Sequence, residues 1–429
     1  MKKRWMWAGG LVLALGISAP WVSGKLTEQQ WQQAVAELNE AQPMFSLDTM
    51  EYTRGYLGSR LEGHIEFENP KTGEREVLGY RGDVSHGLVG SRIVFVTEVP
   101  EGEVWPLLFP QRQPELTLTT RLWGTARADM SMPAISLDDE MTGETLTVSE
   151  GYGWVNFSSG GSELEANMIW PGAVLRGPEY RLSMENLHFE QSMERLRGDV
   201  WIGSGEAVLA SASLARADAP EVVLEDLRWL TESLAVDDDQ RFTTRSILSL
   251  ARISLDSDSF GPHQLEFALS DVSVDGWNLL VDAFHEMQAA SEPVNGDASG
   301  RFERQLAATM NIAEAARALA GAGFSVGFPE LSLDSPDGPV TGTAILSHPE
   351  LGDAELEGMA IVMERLSGQL QLRIPVALTE RYPTLAEELA PLLAQGVLVR
   401  SGDDLVLEAT LKDLQINLNG QVIPLPPMI

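Results

Sequence analysis

The 429-residue chain contains no cysteine. No disulfide can staple the fold in an oxidising compartment, so packing must hold it. A thiol nucleophile, a Cys-ligated zinc and an iron–sulfur cluster are excluded with it. Lysine is nearly as scarce, with only Lys25, Lys71 and Lys412 beyond the first 24 residues. Against 30 basic residues stand 63 acidic ones, giving a net charge of -33. That excess excludes nucleic acid and anionic headgroups as electrostatic partners. It reads as a solubility coat, under which self-repulsion is relieved and stability raised by added salt.

Motifs that carry chemistry are missing too. The six histidines, at 64, 86, 188, 263, 285 and 348, stand singly, with no H-E-x-x-H and no close pair. There is no G-x-S-x-G elbow and no phosphate loop. Gly203 and Gly205 in "WIGSGEAV" fall short of a dinucleotide fingerprint. "DSDSFGPHQLEF" opens like a calcium loop with Asp256, Asp258 and Gly261, but Phe260 and Phe267 occupy positions that need oxygen ligands. Asp237, Asp238 and Asp239 read as a solvated hairpin turn. Among 63 acids no glycosidase pair can be singled out without geometry. The sequence therefore predicts no catalytic residue, no metal and no cofactor.

What is present begins at the N-terminus. Lys2, Lys3 and Arg4 precede an uncharged apolar run from Met6 to Val22, which as a helix rises about 25 Å. Trp5, Trp7 and Trp21 flank it, as indoles do at membrane interfaces. A positive start keeps that end in the cytoplasm and exports the rest, so residues 1–24 are expected to be a membrane anchor. Pro20 and the small residues Ser23 and Gly24 leave signal cleavage as the alternative. A short helix follows over 25–45, with Thr27 and Gln30 as capping box, Leu26 and Trp31 as staple, and Trp31, Val35 and Leu38 as apolar stripe. It can pack on its own domain or pair with a second copy.

From Tyr52 the period becomes two. Leu116, Leu118, Thr120 and Leu122 alternate with Thr117, Thr119 and Arg121, and Leu370, Leu372 and Ile374 alternate with Gln369, Gln371 and Arg373. This is the pattern of antiparallel sheet covered on one side. Asn419-Gly420 marks a type I′ hairpin near the end. The segments "ENLHF" (185–189), "EDLRW" (225–229), "SDVSV" (270–274) and "KDLQI" (412–416) form a weak, irregularly spaced repeat. Helical spacing shows only late, after Asp275, around Leu306 to Leu319, and near Leu385 to Leu392, where Pro391 predicts a kink. The expected fold is mainly β (α+β): a long curved antiparallel sheet, a β-rich region over 46–290 and an α+β region over 291–429, with residues 290–300 as linker.

"GDVSHGLVG" (82–90) places Asp83, Ser85 and His86 close together. In a strand, Asp83 and Ser85 share one face and His86 takes the other, so they cannot form a local triad. His86 reads as a histidine bonding backbone at a turn, beside a Gly87 chosen for positive φ.

The membrane run, the following helix, "YTRGYLGSRLEG" (52–63) and "DVSHG" (83–87) resemble the YdgA-like family of bacterial envelope proteins. The likeness returns from about Leu351 to the end. Leu88 stands where that family tends to place Pro after His-Gly. Membership implies an inner-membrane anchor, a periplasmic body and room for a homodimer, with Asp83, His86 and Gly87 as family motif residues of unknown role. It supplies no catalytic residues. Two functions are expected: a non-catalytic envelope protein that binds a partner protein or assembles with itself, or a lipid-binding protein whose apolar sheet face is a trough, similar in general layout to AsmA-like envelope proteins.

Overall fold

The computed structural model describes residues 23–29, 31–33, 35–36, 39, 45–68, 75–98, 108–256, 258–291, 298–352 and 364–425. The run Met6–Val22, with Trp5, Trp7 and Trp21, lies outside them, as does Leu38 of the expected stripe. Among the described residues no helix is long and apolar enough to cross a membrane. The chain is mainly β, and its contacts divide it into two units, Met1–Ser192 and Met193–Ile429.

In the first unit β1 (Phe45–Arg54), β2 (Gly58–Glu68), β3 (Arg75–His86), β4 (Gly90–Glu98), β5 (Glu115–Arg121) and β6 (Ala126–Met132) pair in sequence, all antiparallel. Then β7 (Ile135–Asp139), β8 (Glu144–Val148), β9 (Gly151–Phe157) and β10 (Glu163–Arg176) follow. Here β6 pairs with β9, β9 and β8 both pair with β10, and β7 pairs with β8. Leu61, Tyr80, Val84 and Ile93 form the core, with Trp31 of the N-terminal helix and Phe95 against it. The Trp31 ring lies 5.2 Å from Phe95 and 6.3 Å from Tyr80. The helix thus packs on its own unit, burying aromatic area against the sheet.

Two local expectations change here. Residues 23–29 are already helical, so Thr27 is not an N-cap. Its hydroxyl donates to Ser23 O one turn back at 2.8 Å, the habit of a Thr inside a helix. On β5 the alternation breaks at one pair: Leu116 is exposed and Thr117 buried. Thr117 Oγ1 accepts from Arg92 and donates to Glu115, and long polar stems can bury a small polar neighbour.

The second unit follows β11 (Tyr180–Arg197). It contains β12 (Val200–Arg216), β13 (Ala219–Val236), β14 (Arg241–Leu255), β15 (Asp258–Phe260), β16 (His263–Ser273), β17 (Phe324–Leu333), β18 (Val340–His348), β19 (Ser367–Pro375), β20 (Val399–Ser401), β21 (Asp404–Lys412), β22 (Gln415–Leu418) and β23 (Gln421–Pro424). One antiparallel ladder runs β12–β13–β14–β16–β17–β18–β19–β21–β22–β23. Helices occupy Val274–Ser291, Ala298–Gly321, Val376–Arg381 and Pro383–Ala394, the last with Pro391 inside it. The expected linker falls largely outside the described residues, and the helices on its two sides pack on each other.

The weak repeat has a backbone meaning. Its second residue is left-handed every time: Asn186 φ 53°, Asp226 φ 51°, Asp271 φ 59° and Asp413 φ 51°. Asn and Asp are the non-glycine residues that tolerate this region best. At Asp271 the result is a bulge, since Phe242 faces Val272 but Thr244 faces Leu269. At Asp413 it makes a turn with Leu414, which is also left-handed, between β21 and β22. Asn419 and Gly420 take positive φ between β22 and β23, as a type I′ turn requires. Asp237, Asp238 and Asp239 are all left-handed at the β13–β14 turn. Of the calcium-like stretch, residues 258–260 and 263–267 are strand, and both carboxylate oxygens of Asp258 accept from Arg381 Nη2 at 3.0 Å.

Candidate functional site

The "DVSHG" motif lies at the end of β3, and its alternation is as the sequence requires: Asp83 and Ser85 exposed, Val84 and His86 buried. Asp83 meets Arg60 Nε at 3.4 Å on the outer face, beside a cavity of about 520 Å³ lined also by Glu51, Thr53 and Glu62. His86 points inward. Its Nε2 lies 2.7 Å from Ser59 Oγ on β2, and its Nδ1 lies 3.0 Å from Ser91 Oγ on β4. The imidazole therefore bonds two side chains rather than backbone. Ser59 and Ser91 come from stretches 27 and 5 residues away, joined to it only by sheet register.

Gly87 corrects a second expectation. It is outside the left-handed region. It works through close approach: a Cβ there would stand 3.1 Å from Gly90 O, and its own carbonyl accepts from Ser23 Oγ at 2.9 Å. Gly90 is tighter still, since a Cβ would fall 1.9 Å from Thr120 O on β5.

Over this polar floor sits the N-terminal helix. Thr27 Oγ1 reaches Thr120 Oγ1 at 3.3 Å, and a Cβ on Gly24 would lie 2.8 Å from His86 Nε2. Ser23, Thr27, Ser59, His86, Ser91 and Thr120 are all buried. Further along, Trp31 Nε1 donates to Thr49 Oγ1, and Asn39 exchanges two hydrogen bonds with the backbone of Leu47. Burial holds the His86 imidazole below its usual range, with the Arg54 charge adding to the effect.

A serine, an imidazole and a second hydroxyl in line resemble a nucleophile, its base and an orienting group. The helix backbone packed against Nε2 leaves an acyl substrate no place to stand. The arrangement is a polar seat for the N-terminal helix.

On the outer face of β1 and β2, register sets Asp48 opposite His64. His64 Nε2 lies 3.5 Å from Asp48 Oδ2 and 3.3 Å from Glu66 Oε1. These are the described residues whose donors cluster closely enough for a metal ion.

The second unit has a different surface. Directly paired residues share a face, and one row of pairs reads Ala207, Trp229, Leu248, Leu265, Leu331, Gly342, Leu372 and Leu407 across eight strands. A neighbouring row adds Phe328, Ala344, Leu370 and Ala409. The same face is covered where Phe242, Val272 and Val274 meet Trp277 and Leu319 of the first helix pair. It is covered again where Ile374 and Leu405 meet Leu385 and Leu389. Between these covers the described residues leave it half open, with Trp229 50% exposed, Leu248 and Phe328 42%, and Leu370 39%. The opposite face carries ion pairs beside the exposed Leu230 and Leu234: Arg228 pairs with Glu206, and Arg245 holds Glu266 by two bonds of 2.7 Å. That pairing drives the Glu266 carboxyl below its ordinary range.

The chain is a member of the family of bacterial proteins of unknown function designated DUF945, whose profile matches residues 1–426. No curated protein and no solved structure matches it.

Proposed function

We propose that this chain is a non-catalytic binding protein of the bacterial cell envelope, YdgA-like, held at the inner membrane by residues 1–24 with its body in the periplasm. Its working surface is the half-open apolar face of the second unit, and the cross-strand row from Trp229 to Leu372 carries this reading. Water-exposed apolar rows of that extent are costly unless something covers them part of the time. The aromatic and leucine centre with a charged surround has the composition of a protein interface. A site for free acyl chains would enclose most of its ligand, whereas Trp229 and Leu248 lie open. Like charge on every copy, -33 each, disfavours self-association and suits a partner presenting an apolar segment with basic flanks.

Site-specific photocrosslinking in cells tests this with the full chain. A photoreactive residue at Leu248 should capture a discrete protein partner, while one at Arg228 on the opposite face should not. Capture of phospholipid at Leu248 would replace the partner by a lipid, and a band of twice the chain mass would replace it by a second copy. Absence of any adduct at Leu248, with normal protein levels, would remove the binding surface altogether.

A further inference from the structure

We propose that Asp48, His64 and Glu66 form a binding site for a divalent transition-metal ion, with zinc the best fit. This site belongs to the first unit, and the inference does not rest on the binding surface proposed above. Asp48 and His64 are cross-strand partners on β1 and β2. Glu66 follows His64 by two residues, so all three share one face. Both carboxylates stand from the imidazole at the spacing of a tetrahedral ion's ligands: with bonds of about 2.0–2.2 Å, the edges of the tetrahedron are roughly 3.3–3.6 Å. The observed separations are 3.3 Å for His64 Nε2 to Glu66 Oε1 and 3.5 Å for His64 Nε2 to Asp48 Oδ2. All three donor atoms lie within 4.8 Å of one another.

The imidazole separates this cluster from the general acidic surface. A nitrogen ligand selects against calcium and magnesium, which prefer oxygen sets, and suits zinc and its neighbours. Two carboxylates bring the charge a dication needs, while Arg75 touches Glu66 through the other oxygen, Oε2, at 3.6 Å. Oε1 is left to the ion. The residue paired with His64 on β3 is Gly79, which brings no side chain to the site. A water molecule can therefore complete the coordination. Behind the site Tyr80 donates its hydroxyl to Asp48 O at 3.0 Å, fixing the backbone that carries the first ligand, as outer-shell partners do at metal sites. Sequence spacing conceals the site because Asp48 and His64 meet only through the β1–β2 register.

Calorimetric titration of the chelator-stripped full-length protein with zinc chloride tests the assignment, with cobalt substitution as an optical readout. One equivalent of zinc should bind, and cobalt should give the intense visible bands of a four-coordinate site. His64→Ala and Asp48→Asn should each weaken binding by about 10- to 100-fold, with far-UV circular dichroism unchanged. His188→Ala, at a half-buried histidine elsewhere, should bind as the parent does. Equal affinity in His64→Ala and parent, or no zinc binding by the parent, would overturn the site. Should His64→Ala fail to fold, Glu66→Gln decides by the same comparison.

Discussion

The two units handle their sheet faces in opposite ways. In the first, the inward face of β2 to β5 carries hydroxyls and an imidazole at one end and aliphatic residues at the other, and one helix covers both. In the second, an apolar row crosses eight strands with the hydroxyls of Thr231, Ser233, Thr244 and Ser246 beside it, and the described helices cover only its two ends. A polar interior must be closed with every group partnered, because an unpaired buried polar atom costs more than a partnered one returns. An apolar face tolerates being left open at a graded cost in area. Closure therefore fixes the N-terminal helix to its unit, and the open face is where the proposed partner would be received.

Truncation separates the two most strongly. Leu61→Ala, at a fully buried position, should destabilise the first unit by about 2–5 kcal/mol. Leu248→Ala on the half-open face should change stability by less than about 1 kcal/mol. Denaturant unfolding of both variants checks the contrast, and equal losses would erase it. Next comes Gly90→Ala, whose new methyl must displace the Thr120 carbonyl; a loss of about 1–3 kcal/mol is expected from such overpacking, read by the same unfolding curves.

The third effect depends on pH. Because burial lowers the His86 pKa, the unfolded chain takes up this proton at a higher pH than the folded one. The stability it contributes is present above the ordinary imidazole value near 6.5 and is lost as pH falls through the depressed value. Release of the N-terminal helix, followed by fluorescence of Trp31, should therefore begin at mildly acid pH in the parent, and the step should vanish in His86→Gln. The smallest effect is that of salt. A chain of charge -33 should melt a few degrees higher at high ionic strength, as repulsion is screened; a flat melting temperature would argue that ion pairs such as Arg245–Glu266 offset it.

Much of the fold could be read from the chain, since two-residue periodicity is a local property. The strands around Leu118, Leu265, Leu372 and Leu407, the late helices and the Asn419-Gly420 turn all follow from patterns a few residues long. The sites could not be read so far. His86 gains its meaning from Ser59 and Ser91, and His64 from Asp48, partners that only strand pairing brings near. Thr27 looked like a cap because a capping box is a local pattern, while the helix enclosing it begins earlier. The repeat from "ENLHF" to "KDLQI" was visible, but its cause, a left-handed Asn or Asp, belongs to backbone geometry.

The bulge at Asp271 has a consequence for how the second unit is assembled. With one additional residue opposite Thr243, Leu269 and Val272 point the same way although three positions separate them, and the chain arrives at Val274 on the side where its helix pair must lie. Strict alternation through these same residues, without the bulge, would turn Val272 toward solvent and launch the helices from the reverse of the sheet. The bulge thus decides which side of this unit gets its roof.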